Sequence, residues 1–311
     1  MGECLIKYYI GIDGGSTKTT FAVGTEDGKL LKTMTRTGCS YQSIGVDATI
    51  RMLERELHTF LSSMKMELED CLGCCIGMPC YGENPGIDQM IEEKLNKLLS
   101  PMPIYMVNDV EVGWAGSLEC REGIHIAAGS GSIAFGRGAD QKSMRCGGWN
   151  EFYGDDGSCY WIGRKAMNLF SKEADGRVPQ GALYEIVRRE LGIMNDFYFT
   201  DVIRENWAPY RWKVAAFQFY AFEAYQAGDP SVEVLYKDAA YELALMVKSI
   251  REKLKFTSEI IDVSYSGGLF QVGNLILKPF QKEVEKLGCI LKTPAHSAIE
   301  GALLLAEKHF S

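Results

Sequence analysis

One strand–turn–strand pattern occurs twice in the sequence, and it constrains the fold more than any other feature. Residues 10–29 read IGIDGGSTKTTFAVGTEDGK, and residues 124–142 read IHIAAGSGSIAFGRGADQK. Each segment has an apolar strand, a turn of glycine and small hydroxyl residues, an alternating strand and a polar turn. The pattern is too divergent and too infrequent for a solenoid. It predicts two related half-domains that face each other across a cleft.

Strand and helix signals alternate along the chain, which predicts an α/β fold with helices on the faces of its sheets. Strands are predicted at 8–13, 19–24, 29–35, 71–78, 103–107, 123–128, 132–137, 259–265 and 289–293. Helices are predicted at 47–64, 86–99, 109–118, 158–173, 180–191, 211–227, 231–255, 273–287 and 297–309. Asp47 is the expected N-cap of its helix, and Pro279 is expected to begin or kink a turn.

The length of 311 residues allows two domains, each with its own core. No low-complexity linker separates them, so the boundary is expected at a tight hinge near 109–118. The predicted first domain is 1–113, completed by 297–311. The predicted second domain is 114–296.

Charge and composition exclude several classes of function. The net charge of -8, without a Lys/Arg cluster, argues against nucleic-acid binding. No stretch approaches the length of a membrane span, and the N-terminus lacks signal-peptide features, so a cytoplasmic protein is expected. None of the four histidines lies in a nucleophile–base motif, which argues against a hydrolase. The aromatic residues at 207–225 have helical spacing and predict a core or a dimer face rather than a base-stacking surface.

The ten cysteines are scattered, with one dense group, CLGCCIGMPC, at 71–80. Cys71 and Cys74 have a metal-ligand spacing, but no second CxxC or CxxH pair completes four ligands. The group also lies in a short apolar run that predicts a buried strand. Structural thiols in a core are therefore favoured over a metal site.

The first glycine turn, 14–17, follows a strand directly. Gly14 and Gly15 let backbone N–H groups approach an anion, and Ser16 and Thr17 add hydroxyl donors. Asp13 could hold Mg²⁺ directly or through water. A Walker A loop is excluded because Ser16 stands where its second glycine belongs, and a Rossmann turn is excluded because a strand follows. An ordinary glycine hairpin remains the alternative for this segment alone.

The second turn, Gly129-Ser130-Gly131-Ser132, has the same chemistry in the same context. Two such turns in a repeated plan could clamp a triphosphate from opposite sides. A third turn, Ser266-Gly267-Gly268-Leu269, follows a predicted strand and precedes a helix. It could pack against an adenosine, although a plain helix entry explains it equally well.

At these turns the sequence resembles the actin/hexokinase/Hsp70 ATPase superfamily. Within it, the sequence is most similar to the branch that groups N-acetylglucosamine kinases with the BadF/BadG/BcrA/BcrD ATPases. The resemblance spans most of the chain, and the segment CGGWNEFYGDDGSCYWIGR is its most specific part. The segments that carry it are DGGSTKT (13–19), VNDV (107–110), AGSGSI (128–133), the block at 146–164, SGGLF (266–270) and GAL (301–303).

The resemblance implies a fold, an activity and a set of site residues. The implied fold is two ribonuclease H-like (actin-like ATPase) domains facing a central cleft, and the implied activity is a homodimeric, ATP- and Mg²⁺-dependent kinase acting on an amino sugar. Asp109 is the implied general base, and Asp13 the implied metal ligand. The implied sugar-binding residues are Ser40, Asn108, Ser130, Gly131, Gly148, Trp149, Asn150 and Asp155. The implied nucleotide-binding residues are Gly14, Gly15, Ser16, Thr17, Lys18, Gly129, Ser132, Gly267 and Gly268.

From the residues alone, two of these aspartates have simpler explanations. Asp109 lies at a strand–helix junction, where a helix N-cap is common. Asp155 or Asp156 could cap the helix that starts near Ser158. We favour Asp156 as the cap and Asp155 as the sugar ligand.

Two departures from the family pattern leave the sugar open. Ser40 stands nearest the position where N-acetylglucosamine kinases usually carry an asparagine, and GGWNE replaces GGWGH, which places Asn150 and Glu151 in the pocket wall. N-acetylglucosamine, N-acetylmuramic acid and glucosamine all remain candidate substrates, with the 6-hydroxyl as the expected acceptor.

The family's other arm activates 2-hydroxyacyl-CoA dehydratases or benzoyl-CoA reductase through an iron–sulfur cluster held between subunits. That function needs two exposed cysteines in each chain. Cys146 and Cys159 instead flank the predicted sugar loop. The kinase is therefore favoured and the activator is the alternative.

Overall fold

The computed structural model describes residues 7–311. Residues 1–6, which include Cys4 and the start of the predicted first domain, lie outside the described residues. The chain divides into two compact units. The first runs up to Arg121 and resumes over Thr293–Ser311, and the second is Glu122–Lys292.

The first unit contains a five-stranded sheet with helices. Its strands are β1 Tyr8–Gly14, β2 Lys18–Thr25, β3 Leu30–Thr37, β4 Cys71–Met78 and β5 Ile104–Asn108. Its helices before Arg121 are α1 Tyr41–Ile44, α2 Val46–Ser62, α3 Pro85–Leu98 and α4 Asp109–Leu118. The predicted boundary at 113/114 falls inside α4, which belongs wholly to this unit.

The second unit contains another five-stranded sheet and is richer in helix. Its strands are β6 Gly123–Ala128, β7 Ser132–Arg137, β8 Ser143–Gly147, β9 Ile261–Ser266 and β10 Cys289–Leu291. Its helices are α5 Cys159–Ala174, α6 Ala182–Leu191, α7 Tyr198–Asn206, α8 Arg211–Ala216, α9 Gln218–Gln226, α10 Pro230–Lys253 and α11 Asn274–Lys286. Pro279 lies inside α11.

The two sheets have the same topology. The strand orders are β3-β2-β1-β4-β5 and β10-β9-β6-β7-β8. In each sheet two hairpins give antiparallel pairs, β1–β2 with β2–β3 and β6–β7 with β7–β8. In each sheet the remaining pairs are parallel. The repeated sequence pattern therefore corresponds to the central hairpin of each sheet, and the predicted duplicated α/β fold is confirmed.

The closing helix, α12 Ala298–Phe310, packs within the first unit against α4, β1 and β4. It starts with a capping box in which Ser297 and Glu300 satisfy each other's backbone N–H groups. Two glycines let α12 and α4 approach closely. A Cβ on Gly116 would lie 2.1 Å from the carbonyl oxygen of Ser297, and one on Gly301 would lie 2.0 Å from that of Val112. No larger residue fits at this crossing.

The central strands read as apolar runs because both of their faces are covered. In β1, Tyr8, Ile10 and Ile12 are fully buried, whereas β3 at the sheet edge is almost entirely exposed. The predicted core role of the strand at 71–78 is confirmed, since Cys71, Cys74 and Cys75 are buried.

The aromatic stretch at 207–225 contributes to the core of the second unit. Phe217 is fully buried and contacts Trp207, Tyr220 and Phe199 edge to face. The core interpretation of this stretch is therefore confirmed for these residues.

Several local predictions were wrong. Gly45, not Asp47, precedes α2 as its N-cap, and Asp47 lies in the first turn, paired with Lys94 at 2.8 Å. The helix predicted over 211–227 is two helices, α8 and α9, which meet at Phe217. Strand β8 and helix α7 were not predicted.

Among residues 7–311, no helix combines the length and apolarity of a membrane span. The same part of the chain contains no group of three or more His, Cys, Asp or Glu side chains arranged to hold a metal ion.

Candidate functional site

The first unit brings two predicted aspartates to one edge of its sheet. Strands β1, β4 and β5 are parallel neighbours, so their carboxyl ends meet at the same edge. Asp13 lies at the end of β1, and Asp109 follows the end of β5. We call this edge, with the 14–17 turn, the first-unit site.

The 14–17 turn closes a tight hairpin. The N–H of Gly15 donates to the carbonyl of Lys18 at 2.9 Å, and the N–H of Cys39 donates to the carbonyl of Gly15 at 3.1 Å. Gly14 is required by packing, because a Cβ there would lie 2.5 Å from Cys39 Sγ and 2.6 Å from the carbonyl oxygen of Gly77. Ser16, Thr17 and Lys18 are exposed, so their polar groups are accessible to a ligand.

Cys39 lies beneath this turn, close enough to both aspartates for their charges to affect its thiol. The pKa of its thiol is raised to about 11, mainly by burial and also by the nearby carboxylates of Asp109 and Asp13. Burial also raises the pKa of Asp13 to about 6, and Lys18 opposes this shift. The first-unit site therefore holds two carboxylates around a thiol that stays protonated at neutral pH.

The junction of β5 and α4 separates the roles of two adjacent residues. Asn108 is the N-cap of α4, and its Oδ1 accepts a hydrogen bond from the N–H of Val110 at 3.2 Å. Its Nδ2 donates to the carbonyl of Tyr81 at 2.8 Å. Asp109 is the first residue of the helix, so the interpretation of Asp109 as the cap is wrong. Asn108 was predicted to bind the sugar, but its side-chain amide makes these two hydrogen bonds within the protein.

Ser40 lies close to the same turn in sequence and in space. It is buried and precedes α1, and its side chain makes no capping hydrogen bond. The preceding residues pack on the turn: a Cβ on Gly38 would lie 2.1 Å from the carbonyl oxygen of Ser16. The structure therefore places Ser40 on the segment that supports the 14–17 turn.

The second unit has its own polar turn at the corresponding hairpin, between β6 and β7. The N–H of Gly129 donates to the carbonyl of Gly131 at 2.8 Å, and the carbonyl of Gly129 accepts from the N–H of Cys159 at 2.8 Å. Helix α5 therefore begins at this turn. Its N-cap is Ser158, whose hydroxyl accepts from the N–H of Trp161 at 3.1 Å. The prediction of Asp156 as the cap was wrong.

The turn after β9 lies beside the β6–β7 turn. Gly267 has a φ of 103° and packs so closely that a Cβ would lie 2.2 Å from the carbonyl oxygen of Ala128. A Cβ on Gly129 would lie 3.9 Å from the backbone nitrogen of Gly268, and one on Gly268 would meet nothing within 4 Å. We call these two turns, with the loop described below, the second-unit site.

A buried histidine supports this turn. His125 lies 2.9 Å from the hydroxyls of both Ser264 and Ser266, through Nδ1 and Nε2 respectively. Burial lowers the pKa of His125 to about 3, so the ring is neutral and donates through one nitrogen while accepting through the other. This arrangement fixes Ser266 directly before the glycines.

Asp155 lies under the β6–β7 turn. Its Oδ1 accepts from the N–H of Ser132 at 3.1 Å, and its Oδ2 pairs with Nη2 of Arg211 at 2.5 Å. A Cβ on Gly131 would lie 2.8 Å from Asp155 Oδ1. Burial raises the pKa of Asp155, and the Ser132 N–H and Arg211 lower it. Gly148 joins the same group, since its N–H donates to the carbonyl of Ser132 at 2.8 Å.

The loop after β8 carries the remaining predicted residues. Asn150 Oδ1 accepts from the N–H of Phe152 at 2.9 Å, which shapes the loop. Trp149, Phe152 and Tyr153 are 74%, 85% and 76% exposed. The loop thus exposes three large aromatic side chains, a residue type whose ring faces are suited to stacking. Ser130 is exposed at the tip of the turn.

Sequence reasoning missed three supporting residues: Cys39, His125 and Arg211. Cys39 is one of the ten scattered cysteines, His125 is one of the four histidines, and Arg211 lies within the aromatic stretch. No local motif marks any of them, because each acquires its contacts from a distant part of the chain.

The residues present fit a nucleotide and a divalent cation. No atom lies within 4 Å of a Cβ built on Gly268, so the backbone of this turn is open to a phosphate group. Asp13 supplies the hard carboxylate oxygen that Mg²⁺ prefers, next to the hydroxyls of the 14–17 turn.

Comparison with known proteins agrees with these features. Residues 10–306 match the model of the BadF/BadG/BcrA/BcrD ATPase family. The N-acetylmuramic acid/N-acetylglucosamine kinase of Clostridium acetobutylicum is 31% identical over 284 residues, which cover 89% of this chain and 90% of that protein. The N-acetyl-D-glucosamine kinase of Dictyostelium discoideum is 26% identical over 291 residues, covering 89% and 90%.

A solved structure shares the fold. It is a candidate N-acetylglucosamine kinase from Chromobacterium violaceum, with a TM-score of 0.76 and 20% identity. The match covers 97% of this chain and 99% of that one.

Proposed function

The chain belongs to the BadF/BadG/BcrA/BcrD ATPase family, and we propose that it is an ATP-dependent kinase of an amino sugar. In this proposal the γ-phosphate of ATP is transferred to the 6-hydroxyl of N-acetylglucosamine. N-acetylmuramic acid and glucosamine are further candidate acceptors. The names of the relatives from Clostridium acetobutylicum and Dictyostelium discoideum support the amino-sugar class.

The observation that carries the proposal is the pair of carboxylates in the first-unit site. Phosphoryl transfer needs one group that binds the cation of the nucleotide and one that accepts the proton of the attacking hydroxyl. Asp13 lies near the end of β1 and Asp109 directly follows β5, the two strands that flank β4, and both carboxylates raise the pKa of the Cys39 thiol. Since Asn108 already caps α4, capping does not explain the aspartate at 109.

The reaction can be written with these residues in named roles. The sugar hydroxyl oxygen bonds to the γ-phosphorus, the bond from that phosphorus to the β–γ bridging oxygen breaks, and ADP leaves. Asp109 accepts the hydroxyl proton. Mg²⁺, which Asp13 would hold, supplies charge neutralisation on the phosphates. Asp109 acts on the reacting hydroxyl, and the remaining residues bind and orient.

The other proposed contacts divide by substrate. For the nucleotide they are Gly14, Gly15, Ser16, Thr17, Lys18, Gly129, Ser132, Gly267 and Gly268. For the sugar they are Ser40, Asn108, Ser130, Gly131, Gly148, Trp149, Asn150 and Asp155. We further propose a homodimer that acts in the cytoplasm, which light scattering and cell fractionation test.

The alternative role as a dehydratase or reductase activator agrees less well with the thiols. Cys159 is buried at the start of α5, and burial raises the pKa of its thiol to about 12. Cluster ligation requires accessible thiolates. Cys146 lies on the edge strand β8 and is half-buried.

The decisive experiment measures ADP release with a panel of amino sugars, followed by ³¹P NMR of the product to identify the phosphorylated hydroxyl. We expect sugar-dependent ADP release with N-acetylglucosamine. Asp109→Asn should lower kcat by about 100-fold or more while sugar and nucleotide binding persist.

Asp47→Asn is a matched control, since Asp47 is another first-turn carboxylate but is exposed and paired with Lys94. It should retain the wild-type kcat. ADP release that no amino sugar stimulates would refute the proposed function, and near-normal turnover of the Asp109 variant would remove that residue from the role of base.

A further inference from the structure

Arg211 connects two parts of the second-unit site that are far apart in sequence. It is the first residue of α8, and its guanidinium pairs with Asp155 Oδ2 through Nη2 at 2.5 Å. Its Nε lies 3.6 Å from Glu151 Oε2. Glu151 and Asp155 both belong to the loop between β8 and α5. Arg211 therefore holds this loop at two points.

The partner of Arg211 is an unusually enclosed carboxylate. Asp155 is 4% exposed, and its backbone has a φ of 56°, in the left-handed region. A buried carboxylate is costly unless donors and a counter-charge compensate it. Ser132 supplies a backbone N–H at 3.1 Å, and Arg211 supplies the positive charge.

Apart from Arg211, the charged groups around Asp155 disfavour its ionised form. Burial is the largest influence and raises its pKa, and the carboxylates of Glu151 and Asp156 raise it further. The Ser132 N–H and Arg211 act in the opposite direction. Removal of Arg211 would leave three neighbouring carboxyl groups without this cation, so Asp155 would take up a proton at a higher pH.

The ion pair also lies directly against the β6–β7 turn. A Cβ on Gly131 would come within 2.5 Å of Arg211 Nη2 and 2.8 Å of Asp155 Oδ1. The carboxylate, the guanidinium and the turn thus form one packed unit. Any displacement of Arg211 must change the position of Asp155 relative to the turn.

We propose that Arg211 is a positioning residue of the sugar site, which keeps Asp155 ionised and fixed beneath Gly131 so that its oxygens accept hydrogen bonds from the sugar hydroxyls. This inference rests on the proposed kinase function and adds a residue to it. An ionised carboxylate is an acceptor with several lone pairs, whereas its protonated form loses part of that capacity. Arg211 thus acts on the sugar through Asp155.

The test compares Arg211→Gln and Arg211→Lys with the wild type. The glutamine removes the charge, and the lysine keeps the charge but loses the planar fork. Arg204→Gln is the matched control, because Arg204 lies on the neighbouring α7 and pairs with Asp201 at 2.8 Å where both are exposed. Each protein is assayed for KM and kcat across a pH series, with circular dichroism to verify folding.

We expect Arg211→Gln to raise the KM for the sugar by roughly 10- to 100-fold, the range of a hydrogen bond to a charged group. The KM for ATP should stay unchanged, and the acid limb of kcat/KM for the sugar should move to higher pH. Arg211→Lys should lie between the glutamine variant and the wild type. Arg204→Gln should match the wild type throughout. A lower kcat at unchanged sugar KM, or an acid limb that does not move, would overturn the proposal.

A second measurement separates this inference from the kinase function itself. The free energy of unfolding of Arg211→Gln, relative to the wild type, should be lower near neutral pH and should approach the wild-type value as acid protonates Asp155. If the wild type phosphorylates no amino sugar, the kinase proposal fails, and this pH dependence still tests Arg211. A stability difference that is constant with pH, or absent, contradicts the role given to Arg211.

Discussion

Replacing Glu173 with glutamine should stabilise the protein at neutral pH and have little effect in acid. Glu173 lies in the last turn of α5 and is fully buried. Its Oε1 accepts from the N–H of Gly181 at 3.0 Å, whereas Oε2 has no hydrogen-bond partner among the described residues. The pKa of Glu173 is raised to about 7, mainly by burial and also by the neighbouring carboxylate of Asp229, and the hydrogen bond from Gly181 opposes this shift.

The magnitude follows from proton linkage. A carboxyl group whose folded-state pKa lies above its unfolded value stabilises the fold fully at low pH, and this contribution is lost as the pH rises through the folded pKa. For Glu173 the loss occurs between the ordinary 4.5 and about 7. At about 1.4 kcal/mol for each pH unit, ionised Glu173 costs about 3 kcal/mol. Glutamine keeps the Oε1 acceptor and never ionises, so Glu173→Gln should recover about 2–3 kcal/mol near pH 8.

Urea unfolding of the wild type and Glu173→Gln at a series of pH values measures this difference. Glu205→Gln is the control, because Glu205 is exposed and its replacement should change the unfolding free energy by less than about 0.5 kcal/mol at every pH. A stabilisation by Glu173→Gln that does not grow between about pH 5 and about pH 8 would show that Glu173 is not protonated in the folded protein.

Alanine substitutions at two glycines should have opposite effects, one on stability and the other on ATP binding. Gly14→Ala should lower the unfolding free energy by about 1–3 kcal/mol, because its Cβ would lie 2.5 Å from Cys39 Sγ; denaturant titration measures this, and an unchanged stability would contradict the packing. Gly268→Ala should leave stability unchanged, because its Cβ meets nothing within 4 Å, but should weaken ATP binding in calorimetry about 10-fold or more. Wild-type ATP affinity in that variant would remove Gly268 from the nucleotide site.

The central hairpins could be predicted from sequence because their signals are local. The apolar runs of β1 and β6 and the glycine turns after them lie within about twenty residues of chain, and the fold places them in corresponding positions of two sheets. Strand β8 could not be found in this way. It is a five-residue edge strand, and none of its residues is buried, so its sequence lacks the alternation that marks a half-buried strand.

Two helices were missed or misjudged for local reasons. Helix α7 has Phe199 and Ile203 packed on the core, but its nine residues are fewer than the roughly 11–18 over which helical periodicity is read. The division between α8 and α9 at Phe217 is hidden because aromatic residues continue through it. Phe217 packs edge to face against Trp207 at this break, and that contact is not visible in the local pattern.

The two carboxylates singled out from sequence have different surroundings, and these surroundings favour different roles. Asp155 has both oxygens engaged by protein donors, the Ser132 N–H and the Arg211 guanidinium. A proton arriving there must compete with a cation, so Asp155 suits a group that accepts hydrogen bonds and stays ionised. Asp109 instead follows Asn108, the N-cap of α4, at the same sheet edge as Asp13, where the proposed reaction needs a proton acceptor for the attacking hydroxyl. The family resemblance already implied proton transfer for Asp109 and sugar binding for Asp155, and the contacts of Asn108 and Arg211 support this proposed division of roles.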